Sequence, residues 1–179
     1  IGDVLYHGPR NDLPEGYNPK AVIEKINNLD NITIVRGNCD ADVDQMVIKH
    51  PIESPFVHKT IGNISVLMDH GYTKSREELL NQARELSVDI LILGHTHVKE
   101  LSIEHDVIVL NPGSTAIPKD GTHSVATIEI LNEQSHDDFE LEINLIDINT
   151  KEVIEIDECD CGCGDHSHNG HCHDDHCHC

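Results

Sequence analysis

Hydrophobic positions in the first half of the chain follow two periods, one typical of helices and the other typical of strands. Two helix starts are marked, Asn18 followed by Pro19 and the capping-box sequence that begins at Ser75, and each leads into apolar residues at helical spacing. Short apolar or alternating runs around these helices predict strands. The expected strands are the end of one at 1–5, then 32–36, a hairpin of 56–60 with 64–68, and 89–93, with a short helix at 40–48.

The second half of the chain contains strand patterns alone. β-Branched or alternating residues predict strands at 100–104, 107–110, 124–131, 139–146 and 153–156, with a turn at Asn149-Thr150 between the last two. Helices that alternate with strands, followed by a run of strands, indicate an α/β fold in which two stacked sheets are flanked by helices.

The pattern of apolar positions ends near Asp157. From there to the last residue the sequence has no Ile, Leu, Val, Phe or Tyr, and it contains six of the seven Cys and six of the 15 His. A segment of this composition cannot offset the entropy cost of ordering. We therefore divide the chain into a folded domain at 1–156 and a Cys/His-rich tail at 157–179, which is expected to be disordered without a ligand.

The charge of the chain restricts its partners. Among 179 residues, 33 Asp and Glu oppose 12 Lys and Arg, which gives a formal net charge of −21. Long nucleic acids and anionic membranes need basic surfaces, so neither is expected as a partner. No apolar run approaches the ~20 residues of a membrane span, and no signal peptide is visible. We expect a cytoplasmic protein, and the sequence leaves self-association to a homo-oligomer open.

Polar and ionisable residues recur where predicted strands end. Asp3, Asn38, His70, His95 and His97 all occupy such positions in short motifs that contain glycine. Loops beyond the carboxyl ends of strands converge on the ligand crevice of an open α/β sheet. Carboxylate, amide and imidazole groups suit Mn, Fe, Zn or Co. A single Gly-Asp or His-Gly after a strand is usually an ordinary turn, so it is the combination of motifs that indicates a catalytic metal site.

These motifs resemble those of a known family. Gly2-Asp3, Gly37-Asn38, His70-Gly71 and Gly94-His95-Thr96-His97 resemble, in this order, the motifs of the calcineurin-like metallophosphoesterases. Longer stretches at 2–11, 13–17, 35–40, 43–46 and 111–114 are similar to the YfcE-type bacterial phosphodiesterases within that family. The resemblance covers residues 1 to about 150 and excludes the tail. It implies a four-layer α/β/β/α sandwich with two divalent metal ions between its sheets, Mn being expected first and Fe, Zn, Ni or Co also fitting.

The resemblance also implies a role for each motif residue. Asp3 would bridge both ions, Asn38, His70 and His95 would complete the ligands of one ion, and His97 would bind the other. The implied activity is that of a phosphodiesterase, in which a hydroxide held by the two ions attacks a small phosphodiester. The expected catalytic residues are Asp3, Asn38, Cys39 and Asp40, and the expected substrate-binding residues are His7, Arg10 and Asn11.

Two features depart from the family pattern. The first family motif, an Asp-x-His after the first strand, should precede Gly2-Asp3 and is not found, so we expect an N-terminally truncated sequence without the first strand and helix. One ion would then keep only Asp3 and His97, and this fragment is expected to be poorly stable and inactive. The wider superfamily also has His where this chain has Cys39, a weaker acid at neutral pH. Asp40 or a metal-bound water could protonate the leaving oxygen instead, or Cys39 could simply pack as a small apolar residue.

The tail offers a second set of candidate metal ligands. Closely spaced Cys and His suit Zn, Ni or Cu, whereas a disulfide framework would need a core to join. The candidate tail ligands are Cys159, Cys161, Cys163, His171, Cys172, His173, His176, Cys177, His178 and Cys179. Two functions of other classes therefore stay open: a non-catalytic scaffold with the phosphoesterase fold, and a metal storage or sensing protein that acts through its tail.

Overall fold

The computed structural model describes residues 1–135 and 138–156, so the expected boundary at Asp157 and every tail ligand from Cys159 to Cys179 lie outside the described residues. None of the helices in the described part is long and apolar enough to cross a membrane. The elements in chain order are α1 (Pro19–Asn27), β1 (Ile34–Val35), a 3-10 turn (Asp44–Met46), β2 (Ile52–Glu53), β3 (Phe56–Ile61), β4 (Ile64–Asp69), α2 (Arg76–Glu85), β5 (Ile90–Ile92), β6 (Lys99–Glu104), β7 (Val107–Pro112), β8 (Ser124–Ser135) and β9 (Asp138–Asp147).

A five-stranded mixed sheet forms the centre of the fold. Its strand order is β3-β4-β5-β7-β6, in which β4, β5 and β7 are parallel and the edge strands β3 and β6 are antiparallel to their neighbours. Both edge strands come from tight hairpins. Gly62 turns between β3 and β4, and His105-Asp106 turns between β6 and β7, all with positive φ. The parallel neighbours β4 and β5 need a crossover connection, which α2 provides.

Helix α2 covers one face of this sheet. Ser75 caps the helix as the sequence predicts, because its hydroxyl accepts the Glu78 N–H and the Glu78 carboxylate accepts the Ser75 N–H. Strand β4 is buried along its whole length because layers on both sides cover it. The core between helix and sheet consists of Leu67, Leu79, Leu80, Ala83, Val88, Leu91, Leu93, Val107 and Val109.

The opposite face of the sheet is covered by the β8–β9 hairpin and by β1. Adjacent residues of β1 point to opposite sides: Val35 joins the cluster against the central sheet, and Ile34 joins the cluster beneath α1, together with Ile23 and Ile26. Strand β1 pairs in parallel with β2. The order of layers is therefore α2, the central sheet, a second β layer and α1, which confirms the expected α/β/β/α sandwich.

Residues 1–5 do not form the expected strand end. Gly2 and Asp3 have positive φ angles of 77° and 54°. The N–H groups of Asp3 and Val4 donate to the carboxylate of Asp40 rather than to a neighbouring strand. The local pattern is misleading here because a side chain 37 residues away along the chain sets the backbone.

Four other elements also differ from the prediction. Residues 40–48 contain only the 3-10 turn, because the side chains of Asp44 and Gln45 bond to nearby backbone groups. The strand expected at 32–36 shortens to β1. The strand expected at 153–156 is wrong, since its pairing is a single bridge between Val153 and Ile146. Strand β2 is missing from the prediction because two residues are too few to show a period.

Candidate metal centre

Three of the five predicted metal ligands converge at the carboxyl ends of the central strands. Asp3, His70 and His95 each bring one ligand atom within 4.8 Å of the other two. His70 directly follows β4, and His95 follows β5 after Gly94. Because these strands are parallel neighbours, their ends bring the two imidazoles together, with ring centroids 5.2 Å apart. Asp3 reaches the same place from the loop at the start of the chain.

The backbone is strained at the ligands themselves. Asp3, His95 and His97 have φ angles of 54°, 65° and 60°, in the left-handed region that costs a non-glycine residue roughly 1–2 kcal/mol. Positive φ angles also occur in ordinary turns, as at His105-Asp106, but strained residues that cluster at one place are typical of functional sites. The turn at Gly94 also requires glycine, because a Cβ there would lie 2.9 Å from the carbonyl oxygen of Ile1.

Hydrogen bonds fix the direction of the free nitrogen of His70. The side chain is almost fully buried, and its Nδ1 contacts the carbonyl oxygen of Ile1. Because a carbonyl can only accept, neutral His70 carries its proton on Nδ1. The Nε2 lone pair then faces Asp3 Oδ2 at 3.3 Å and Asn38 Oδ1 at 3.2 Å. Three acceptors that face one another need a proton or a cation between them, and this donor set fits a divalent metal ion.

The surroundings keep the ligands in forms that bind metal. Partial burial raises the pKa of Asp3, but the His70 side chain beside it and the hydrogen bond from the Cys39 N–H outweigh this effect, so the pKa lies below its ordinary value. Burial and the neighbouring His70 lower the pKa of His95, which favours neutral imidazole. A carboxylate and a neutral imidazole are the protonation states that metal ligation requires.

His97 lies outside this group of three, on the wall of the same cavity. The cavity has a volume of about 620 Å³ and is bordered by Asp3, His70, His95 and His97. The Nδ1 of His97 bonds to the carbonyl oxygen of Ile117 at 2.8 Å. As in His70, a backbone carbonyl therefore leaves Nε2 free to act as a ligand.

The side chain of Asn111 supports the turn that carries His95 and His97. This side chain is buried, and its amide donates to the carbonyl oxygen of Gly94 and to Thr96 Oγ1, at 3.0 Å each. The sequence indicates Asn111 only within the stretch 111–114 that is similar to the family. Its supporting role could not be predicted, because it depends on contacts between segments that are distant along the chain.

Asn38 and Cys39 lie side by side at the edge of the centre. Asn38 Nδ2 donates to Cys39 Sγ at 3.2 Å, so Asn38 Oδ1 is the atom directed towards His70. The Cys39 N–H donates to Asp3 Oδ1 at 2.7 Å. Burial and the charge of Asp3 raise the pKa of the Cys39 thiol to about 11. The thiol is therefore a poor proton donor at neutral pH, and its expected catalytic role stays a prediction.

Asp40 is buried, and its carboxylate binds backbone groups. Oδ2 accepts the N–H groups of Asp3 and Gly37, and Oδ1 accepts that of Val4, all at 2.8 Å. Asp40 thereby joins the Asp3 turn to the turn that carries Asn38. These contacts indicate that Asp40 positions Asp3. They give no support to the predicted transfer of a proton from Asp40 to a leaving group.

His7 is the expected substrate-binding residue that lines the cavity. Its ring lies between those of Tyr6 and Tyr17, at centroid distances of 4.8 and 5.4 Å. Its Nδ1 is buried and has no hydrogen-bond partner among the described residues. His7 therefore borders the cavity, but its Nδ1 is closed to a ligand there.

Arg10 and Asn11 differ in what they face. Arg10 is exposed, and its positive charge acts on the Cys39 thiol, where it opposes the larger effect of burial on the pKa. Asn11 Nδ2 donates to the carbonyl oxygen of His7 at 2.6 Å. Asn11 thus supports the loop, whereas the charge of Arg10 acts on Cys39 at the edge of the centre.

Tyr72 also borders the centre, although no motif indicates it. Its ring centroid lies 5.7 Å from that of His70 and 6.2 Å from that of His95. The residue is 43% exposed. Its only signal in the sequence is its position two residues after His70, in the loop that leaves β4.

The fold and this centre together define the class of the protein. A model of the calcineurin-like phosphoesterase superfamily domain matches residues 11–133, which is more than half of the chain. The chain therefore belongs to this family, as its motifs predict.

Individual relatives agree with that class. The chain is 40% identical over 146 residues to phosphodiesterase YfcE of Escherichia coli, covering 75% of this chain and 77% of that protein. The solved structure of YfcE, a phosphoesterase from E. coli, matches with a TM-score of 0.69 at 34% identity, over 86% of this chain and 79% of that one. Vps29 from Entamoeba histolytica shares the fold, with a TM-score of 0.51 at 23% identity, over 86% of this chain and 93% of that one. The predicted similarity to the YfcE-type subgroup is confirmed.

Proposed function

We propose that this protein is a metal-dependent phosphodiesterase that hydrolyses a small phosphodiester. The observation that carries the proposal is the convergence of Asp3, His70 and His95 within 4.8 Å. The sequence identity of 40% to a protein named as a phosphodiesterase supports it. Asp3, Asn38 and His70 direct acceptor atoms towards one another, and the proposed centre therefore needs a cation between them.

The proposed centre holds two divalent ions. Asp3 would bind both ions, Asn38, His70 and His95 would bind one of them, and His97 would bind the other. When bound, such a pair supplies the Lewis acidity that activates water and neutralises the charge that develops on the phosphate. We propose Mn first, as the family resemblance implies, and Fe, Zn, Ni or Co also fit a set of oxygen and imidazole ligands.

The charge of the protein favours a small substrate. A chain with a formal charge of −21 repels long polyanions, whereas a dinuclear centre can neutralise the single charge of one diester. His7, on the cavity wall, and Arg10, beside Cys39, are the proposed contacts of the substrate phosphate. We also propose that the protein acts in the cytoplasm, since a reducing compartment suits its closely spaced tail cysteines.

The test is hydrolysis of bis(p-nitrophenyl) phosphate by the protein expressed from its complete gene, with and without Mn²⁺. We expect Mn²⁺-dependent release of p-nitrophenolate, reduced more than about 100-fold in Asp3→Ala and in His95→Ala. Asp42→Asn is the matched control, because the Asp42 side chain is 92% exposed and pairs with Arg36. Turnover that survives both ligand substitutions would overturn the mechanism. A metal-loaded protein without turnover would favour the non-catalytic scaffold.

A second candidate function is metal storage or sensing, and it rests on the sequence of the tail. Residues 159–179 contain six Cys and six His, which suit Zn, Ni or Cu. Elemental analysis of the protein with and without residues 157–179 tests this function. We expect several fewer ions per chain after the deletion and unchanged hydrolysis at saturating Mn²⁺. Equal metal content in both forms would contradict it.

A further inference from the structure

All three tyrosines of the chain border the candidate centre or its cavity, although aromatic residues make up only 3% of the sequence. Tyr6 and Tyr17 line the cavity, and Tyr72 lies beside His70 and His95. Large aromatic side chains usually serve a core, but Tyr72 is 43% exposed. Its position therefore needs an explanation other than packing.

Contacts of the residues around Tyr72 hold the loop that carries it. Gly71 has a φ of 88°, and its N–H donates to Asp69 Oδ1 at 2.9 Å. Asp69 is itself buried, and its Oδ2 lies 3.6 Å from Lys74 Nζ. The Tyr72 ring meets His70 edge-on, at an angle of 67°, which leaves ring surface open to solvent. A ring carried by a loop that is already held in place loses less conformational entropy when a ligand binds to it.

We propose that Tyr72 binds substrate by stacking on a flat aromatic group in one arm of the phosphodiester, either a nucleobase or an aryl ring. This inference rests on the proposed phosphodiesterase function. A phosphate held at Asp3, His70 and His95 has both of its ester arms beside these ligands. A ring centred 5.7 Å from His70 and 6.2 Å from His95 is within reach of one arm.

Stacking also suits the charge of the protein. It requires no basic side chain, and it therefore adds affinity in a chain whose formal charge is −21. It is worth about tenfold or more in affinity for one base or ring. Tyr72 thus confers a preference for aromatic diesters over alkyl diesters of the same size and charge.

The first experiment measures binding without hydrolysis. Methylphosphinates that carry a thymin-1-ylethyl, a phenyl or a cyclohexyl group have the single charge of a diester and no ester bond to cleave. Titration calorimetry of the Mn²⁺-loaded protein should give about tenfold tighter binding of an aromatic probe than of the cyclohexyl probe. This preference should vanish in Tyr72→Leu and persist in Tyr72→Phe. A preference for the thymine probe alone identifies a nucleobase, and a preference for both aromatic probes identifies any flat ring.

The second experiment measures kinetics with bis(p-nitrophenyl) phosphate. Tyr72→Leu should raise KM about tenfold and leave kcat unchanged, because stacking is lost equally from the ground state and the transition state. Tyr72→Gln, which removes the ring without exposing new apolar surface, is the second variant if Tyr72→Leu folds poorly. Equal probe affinities in the parent overturn the inference, and so does an aromatic preference that survives both variants. If the aromatic preference is lost on substitution but no diester is hydrolysed, the aromatic site stands and the phosphodiesterase proposal fails.

Discussion

The face of the central sheet beneath α2 and the loops at the carboxyl ends of its strands are built in opposite ways. Beneath α2 the backbone is regular, and the side chains of Leu67, Leu91 and Val109 are completely buried. In the ligand loops, Asp3 and His95 have left-handed backbone angles, and carboxylates and imidazoles replace the apolar side chains. One region follows the local preferences of its residues, and the other departs from them.

The difference shows where the protein holds its stability and where it holds its chemistry. Local preference, capping and burial agree in the helix-covered region, so each adds to the same fold. In the ligand loops the backbone strain is held by distant contacts, chiefly the carboxylate of Asp40 at Asp3 and the side chain of Asn111 at the turn that carries His95. Strain that other parts of a fold must hold in place is typical of functional sites. Substitutions in the two regions should therefore have different consequences.

The largest effect on stability is expected in the helix-covered region. Leu91→Ala should lower the free energy of unfolding by about 3 kcal/mol, because it leaves a cavity in a fully buried position. Urea denaturation measures the change. Leu13→Ala is the matched control, since Leu13 is 63% exposed and its truncation should cost less than about 0.5 kcal/mol. If both variants lost the same free energy of unfolding, the packing beneath α2 would not be what stabilises the fold.

The next largest effect is expected at Asp40. Asp40→Asn should lower the free energy of unfolding by about 2–3 kcal/mol, because an amide cannot accept all three N–H groups that now bond to the carboxylate. It should also weaken Mn²⁺ binding, since the Asp3 turn loses its support. Asp42→Asn changes an exposed carboxylate of the same type and should cost less than about 1 kcal/mol. If Asp40→Asn leaves Mn²⁺ affinity unchanged in calorimetry, Asp40 does not position Asp3.

Metal binding should stabilise the ligand loops selectively. At a Mn²⁺ concentration of about 100 times Kd, the folded state should gain about 2.7 kcal/mol, which scanning calorimetry detects as a higher Tm. Asp3→Ala and His95→Ala should abolish this gain, whereas Leu13→Ala should retain it. The measurement is repeated without residues 157–179, so that ions bound by the tail are not counted. If Mn²⁺ raised the Tm of Asp3→Ala as much as that of the parent, the stabilising ion would not bind at Asp3.

The smallest effect is expected at the start of α2. Ser75→Ala should cost about 1 kcal/mol, because the Glu78 N–H loses its acceptor. Hydrogen bonds from Ser75 hold the pKa of Glu78 below its ordinary value of 4.5. The contribution of the Glu78 carboxylate is therefore present above pH 4.5 and lost as the pH falls through its lower pKa in the folded state. The difference between parent and variant in urea denaturation should be smaller at pH 3 than at pH 7.

Elements that depend on neighbouring residues can be predicted from the sequence. The starts of α1 and α2 follow from Asn18-Pro19 and from Ser75 with Glu78, whose capping contacts span three residues. The β3–β4 hairpin likewise follows from two strand patterns around Gly62-Asn63. These signals are strong because the groups that satisfy them lie within one turn of the chain.

The centre could be predicted only in part. Motifs that resemble a known family point to all five ligand positions, of which the structure brings Asp3, His70 and His95 within 4.8 Å. The positive φ of Asp3 and the exposed ring of Tyr72 depend on contacts with distant residues. The periodicity of the sequence carries no information about such contacts. For this reason residues 1–5 are predicted as the end of a strand, and no role is predicted for Tyr72.

The contact between His70 and the carbonyl of Ile1 has a consequence for the order of folding. It joins residues 69 positions apart, whereas the three hairpins of the fold join neighbouring segments. Closing a long loop costs more entropy, so this contact should form after the hairpins and after the main transition state. A metal ion that recognises only the assembled centre then acts late: it should slow unfolding and leave the folding rate unchanged. Stopped-flow kinetics with and without Mn²⁺ would show this as a shift confined to the unfolding arm.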